Sequence, residues 1–225
     1  MDTANLDRLI SSVVIVVALG VVALAFKREA SRPAGSTPGL RFEVIGDWES
    51  VRRSVKWLDS AGVVEVVQFG DFECPYCRRF AESVEGMSDS VRRLVREGFL
   101  AFPLPSHPEA RPAALEFLCS ASSEARTVHD VLFEAQDSLR SIGARSILAS
   151  RGLGTSSAHR ECVGGNAAAA AVDSNLALGR HLGVRATPTV IVGKWLLSQP
   201  PTPAELERII RAVVAGRDPA RMVRE

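Results

Sequence analysis

The chain has 225 residues, 46% hydrophobic and 24% charged, with 27 basic against 26 acidic side chains. That composition excludes a disordered, collagen-like or multi-span membrane protein, and a net charge of +1 gives no global electrostatic case for nucleic acid or an acidic partner. Four cysteines are too few to build a fold from disulfides, so a hydrophobic core must hold one domain with an appendage, or two small domains.

Leu9 to Phe26 is an apolar run of eighteen residues without a charge. As a helix it would span about 27 Å, close to the roughly 30 Å hydrocarbon core of a bilayer. A Pro/Gly/Ser stretch, Ser31 to Gly39, follows it. Residues 1–29 are therefore expected to be an N-terminal transmembrane helix or signal segment, and 30–42 a flexible linker. Ala23-Leu24-Ala25 has the small-x-small form that a signal peptidase accepts. The apolar run passes through that triplet to Phe26, which favours a retained anchor.

Val63 to Phe69 reads as a buried strand. Gly70 to Glu73 leads from it into Cys74-Pro75-Tyr76-Cys77 and a helical stretch. Phe99 to Phe102 is a second short strand candidate, stopped by a proline-rich segment. From Glu109 to about Leu153 the pattern is helical. Asn166 is expected to cap a helix over Ala167 to Leu182, with Gly183 as its stop. Thr189 to Val192 and Trp195 to Leu197 form a hairpin around Gly193-Lys194. Thr202-Pro203-Ala204-Glu205 opens a last helix to Ala215 with a capping box. The order predicts an α/β fold, with a parallel strand pair in front and an antiparallel hairpin behind. Trp48, Trp57 and Trp195 are expected in the core.

Cys74 and Cys77 are the sharpest signal. Pro75 suits the first helical turn, which places the Cys74 sulfur at a helix N-terminus, where free N–H groups and the macrodipole favour a thiolate. A thiolate attacks disulfides, and a second thiol one turn along can resolve the mixed disulfide. A zinc site needs a second CxxC or a histidine pair, and His107, His129, His159 and His181 have no ligand spacing, so no metal is expected. Thr187-Pro188 stands directly before a strand. If that bond is cis, Pro188 bars a backbone donor near the sulfurs and leaves the Thr187 backbone free to pair with a substrate peptide.

The segments FGDFECPYCRRF (Phe69 to Phe80), FPLPSHPEARPAA (Phe102 to Ala114) and GVRATPTVIVG (Gly183 to Gly193) together resemble the DsbA-like branch of the thioredoxin superfamily. The resemblance covers about residues 60 to 215. It implies a thioredoxin-like fold over residues 43–220 with an inserted helical subdomain at about 105–166. It also implies Cys74 as nucleophile, Cys77 as resolving thiol and a cis Pro188 facing them. Glutaredoxins share Cys-Pro-Tyr-Cys, but they are small and lack a long helical insertion. The family often carries a buried acid six residues before the first cysteine. Here that position is Gln68, which hydrogen-bonds but cannot act as a base, leaving Glu65 and Asp71 as substitutes. Slower or differently tuned exchange is expected. Tyr76 is expected to pack against substrate or the insertion, and because it carries no charge, a milder oxidant is expected. His107 is read as a loop residue.

Cys119 and Cys162 lie in or beside the insertion, either as free buried thiols or as a disulfide, and the pairing is expected. Such a bond persists in an oxidising compartment. Lys27 and Arg28 follow the apolar run, whereas Arg8 precedes it beside Asp2 and Asp7, so the positive-inside rule read alone keeps the domain in the cytosol. Long domains translocate with little regard to charge, and disulfide chemistry needs the outer side. The resulting expectation is a membrane-tethered thiol–disulfide oxidoreductase on the extracytoplasmic side, without a cofactor. Its partners would be protein thiol or disulfide clients and a membrane redox partner that recycles the dithiol. An inward-facing reductase and a non-catalytic binding module are the alternatives.

Overall fold

The computed structural model describes residues 40–222. The apolar run Leu9 to Phe26 and most of the expected linker lie outside the described residues. Among the described residues, no helix is long and apolar enough to cross a membrane.

Six strands form one sheet in the order β1-β6-β5-β3-β4-β2. They are β1 (Phe42–Val44), β2 (Lys56–Trp57), β3 (Val64–Gly70), β4 (Val95–Ala101), β5 (Thr189–Val192) and β6 (Trp195–Leu197). The central β3 is buried along nearly its whole length, as its continuous apolar run requires. It pairs in parallel with β4, Val67 opposite Gly98, and antiparallel with β5, Gln68 opposite Val190. The hairpin β5–β6 is antiparallel, and β1 and β2 pair antiparallel at the two edges. Phe42 is thus in a strand and Leu40 is buried, so the last residues of the stretch expected as linker belong to the folded domain.

Two features differ from the local pattern. β4 starts at Val95, four residues before the expected Phe99, because its first half carries Arg96, Glu97 and Gly98. Arg96 stacks on the Trp57 ring at 4.0 Å, the buried Glu97 pairs with Arg126 at 2.7 Å, and Gly98 leaves room for Val55 and Trp57. Tertiary contacts keep these polar residues in a strand. The three tryptophans are half-buried at the rims of the apolar clusters rather than inside them.

The helices before β5 are α1 (Trp48–Arg52), α2 (Pro75–Glu85), α3 (Asp89–Arg92), α4 (Ala110–Cys119), α5 (Ala125–Glu134), α6 (Leu139–Ile142), α7 (Ala144–Ser150), α8 (Ser157–Gly164) and α9 (Asn166–His181). Two more follow the hairpin, α10 (Pro203–Val214) and α11 (Pro219–Met222). One sheet face buries Val66, Val190 and Val192 against Phe80 and Val84 of α2 and Ile210 of α10. The other buries Val67, Phe69 and Ile191 with Phe102 and Val184. α9 approaches that second face so closely that a Cβ on Gly179 would lie 2.5 Å from the Phe102 ring. Gly165, not Asn166, caps α9, and Gly183, whose φ of +75° suits glycine, follows the C-cap Leu182 and turns the chain away. At α10 the capping box is complete: Thr202 Oγ1 accepts from the Glu205 N–H, and the Glu205 carboxylate accepts from the Thr202 N–H.

The block α4–α8 has its own core, and that core includes the CxxC turn. Phe72 stacks on Phe99 at 4.8 Å and meets Phe117 and Phe133 at 5.4 and 4.9 Å. Cys74 and Cys77 belong to the same cluster. Cys119 and Cys162 are bonded, closing a 43-residue separation between α4 and α8.

Candidate active site

The turn between β3 and α2 builds the site. The Cys74 N–H donates to the Asp71 carbonyl at 3.0 Å, and the Cys74 carbonyl accepts from Cys77 and Arg78. Cys74 is therefore the N-cap of α2, with Pro75 in the first turn where no N–H is missed. Its sulfur faces the free N–H groups of the helix start. Both sulfurs are thiols, and Cys74 is 4% and Cys77 0% exposed.

From the neighbouring strand, the loop before β5 brings Thr187-Pro188, joined by a cis bond. Cys74 Sγ donates to the Thr187 carbonyl at 3.4 Å. Beside Pro188 a groove of about 780 Å³ runs along Phe42, Val184 and Leu197 to Pro200.

The two thiols are pushed in opposite directions. The Cys74 thiol is pulled down to about 5, first by the hydrogen bond that Cys77 donates to its sulfur. The Thr187 side chain and the backbone N–H groups of Cys77 and Tyr76 add to this against the cost of burial. Burial, together with donation to the neighbouring thiolate, pushes Cys77 well above the usual thiol range. No cationic side chain is among the main causes, so neutral donors do what Tyr76 cannot. The Tyr76 ring itself is 62% exposed with Arg79 stacked over it at 4.4 Å. In the first turn of α2 it points to solvent rather than onto the insertion.

Under the pair, Gln68 donates to the Cys77 carbonyl at 3.3 Å, and its Oε1 is buried without a partner among the described residues. Glu65 is committed elsewhere, to Trp48, Arg52 and Arg96. Asp71 is at the site: its N–H meets Cys77 Sγ at 3.4 Å, and its fully buried carboxylate accepts from Glu73 and Leu104 and binds His107 Nδ1 at 2.8 Å. His107, read from the sequence as an ordinary loop residue, thus contacts the catalytic turn.

Two further residues had no signal in the sequence. The Glu73 carboxylate accepts the Glu109 and Ala110 N–H groups at the start of α4 and binds Arg140. Gln136 donates to the carbonyls of Phe72 and Cys74 at 2.7 and 3.0 Å. The insertion therefore grips the CxxC turn from both sides. Cys119 and Cys162 stand apart from the pair as a disulfide within the insertion.

Comparison with known proteins agrees with this architecture. The family model described as Thioredoxin matches residues 59–212. Among solved structures, Proteus mirabilis ScsC in a transitional conformation is similar with a TM-score of 0.64 at 16% identity, over 96% of this chain and 100% of that one. A thioredoxin-like oxidoreductase from Silicibacter pomeroyi gives 0.58 at 22%, over 80% and 95%. DsbA from Xylella fastidiosa gives 0.54 at 18%, over 78% and 94%. These likenesses are of fold. No curated protein matches the chain.

Proposed function

The chain belongs to the thioredoxin family, and from that membership we propose that it is a thiol–disulfide oxidoreductase of the DsbA and ScsC type, working through Cys74 and Cys77. The observation that carries this reading is the placing of the two sulfurs: Cys74 caps α2 with its Sγ 3.4 Å from the Thr187 carbonyl beside the cis Pro188, and Cys77 is buried one turn along. Donors to the Cys74 sulfur pull its thiol down to about 5, and burial pushes Cys77 up.

In the reducing direction the Cys74 thiolate attacks one sulfur of a client disulfide. The Cys74–client bond forms, the client S–S bond breaks, and the leaving sulfur departs as a thiolate. Cys77 then loses its proton and attacks Cys74, forming the Cys74–Cys77 bond and releasing the second client thiolate. The client is reduced by two electrons and the enzyme oxidised by two. The oxidising direction is the same path reversed. Pro188 and the groove it lines offer the client an extended lane beside the Thr187-Pro188 bond.

The hydrophobic run Leu9 to Phe26 supports a tether, and disulfide chemistry supports the extracytoplasmic side, with protein clients and a membrane redox partner. Insulin-disulfide reduction and scrambled-ribonuclease refolding test the activity. Cys74→Ser should abolish both, and Cys77→Ser should accumulate a mixed disulfide. Turnover that persists in Cys74→Ser sinks the proposal.

A further inference from the structure

A second cleft, of about 470 Å³, opens between the start of the insertion and the end of α9. Its floor is apolar, with Phe102, Leu104 and Leu176, and its rim carries Arg111, Arg180 and Arg185. Two links, through Asp71 and through Thr187, tie it to the redox pair. Leu104 and His107 both bind the buried carboxylate of Asp71. Arg185 stands two residues before Thr187, whose carbonyl touches Cys74 Sγ.

The charge of this cleft is unbalanced. None of its lining residues is acidic. Asp173, largely exposed beside it, binds Arg111 at 2.7 Å and is also lowered by Arg180. Among the described residues, Arg180 and Arg185 have no ion-pair partner within 4.0 Å, so three guanidinium groups share one carboxylate.

We infer that this cleft docks an acidic segment of the client polypeptide, with carboxylates beside the reacting cysteine on the arginine rim and an apolar side chain on the floor. The inference rests on the exchange activity proposed above and names the client class it selects. Guanidinium forks bind carboxylates in a bidentate fashion, and apolar burial adds affinity that a small anion would not gain. The cleft is far larger than a lone carboxylate needs and lies in the range of ligand pockets. An acidic client would otherwise be repelled by the Cys74 thiolate. The excess of guanidinium groups on the rim reverses that sign locally, and docking there holds the client sulfur close to Cys74. The near-zero net charge of the whole chain does not register such a local excess.

The test uses the full chain, reduced, in micelles of a nonionic detergent. Three disulfide-linked peptides of one sequence are compared, with Asp and Glu, Asn and Gln, or Lys and Arg flanking the cysteine. At low salt kcat/KM should be about tenfold higher for the acidic than for the neutral peptide, lowest for the basic one, and the spread should shrink toward 1 M salt. Replacing both rim residues, Arg180→Ser with Arg185→Ser, should bring the acidic-to-neutral ratio near one, through KM. Equal rates for acidic and neutral peptides, or a preference that survives both substitutions, overturn the docking site. An arginine dependence seen with oxidised glutathione but not with peptides assigns the cleft to a small thiol carrier and overturns it also. The wild-type salt series decides even if the double variant misfolds. Absence of any Cys74-dependent exchange, with dithiothreitol included, would instead bring down the activity on which the inference rests.

Discussion

Cys74 and Cys77 are three positions apart and differ in what surrounds each sulfur: open N–H groups for one, packed side chains for the other. The consequence is measurable as a bend in the redox potential against pH. Below about pH 5 both thiols of the reduced pair carry protons, two protons accompany two electrons, and the potential falls by about 59 mV per pH unit. Above about pH 5 only Cys77 keeps its proton, and the slope halves to about 30 mV. The sign follows from linkage. A depressed folded pKa means that the reduced form gains stability from Cys74 which is complete above the ordinary thiol range and lost as pH falls through about 5. Alkylation of Cys74 should follow the same midpoint; a single slope from about pH 4 to 7 would contradict the assignment. Gln68 gives a second prediction. Gln68→Glu places a titratable acid under Cys77 where an unpartnered oxygen now sits, so its pH–rate profile should gain an ionisation and its resolving step should speed up. Profiles that superimpose would leave position 68 without a part in proton transfer.

At the scale of elements, the CxxC turn is held by the insertion as well as by the sheet. Glu73→Ala would orphan two backbone N–H groups at the start of α4 and release Arg140, at a cost of about 2–4 kcal/mol in urea unfolding. Glu73→Gln, which keeps an acceptor, should lose clearly less. Equal stability of Glu73→Ala and wild type would show the grip to be unimportant. The elements with a local signature were legible in the sequence: β3 from its β-branched run, the β5–β6 hairpin from its turn, α2 from its proline and α10 from its capping box. The edge strands β1 and β2 were not, because two or three residues form a strand only through a partner distant in sequence. The same reason hid part of the site. Glu73, Gln136 and His107 act through contacts 36 to 67 residues away along the chain, and no spacing rule reaches that far. Cys74, Cys77 and Thr187-Pro188 were legible because local chemistry marks them.

For the whole molecule, the folded domain described from Leu40 onward and the apolar run Leu9 to Phe26 before it call for separate tests. A chain started at Leu40 should be soluble and keep Cys74-dependent exchange, while the full chain partitions with membranes. A periplasmic reporter enzyme fused after Glu225 should be active if the domain faces outward. Recovery of the full chain in the soluble fraction would remove the tether, and activity of a cytosolic reporter instead would reverse the orientation. Across all 225 residues there is also only one tyrosine, Tyr76, and it stands exposed between the two cysteines. An isotope-labelled tyrosine ring therefore yields a single NMR spin system from the entire protein, seated two residues from the nucleophile. Its chemical shift can follow each client's arrival and departure with all four cysteine sulfurs left untouched.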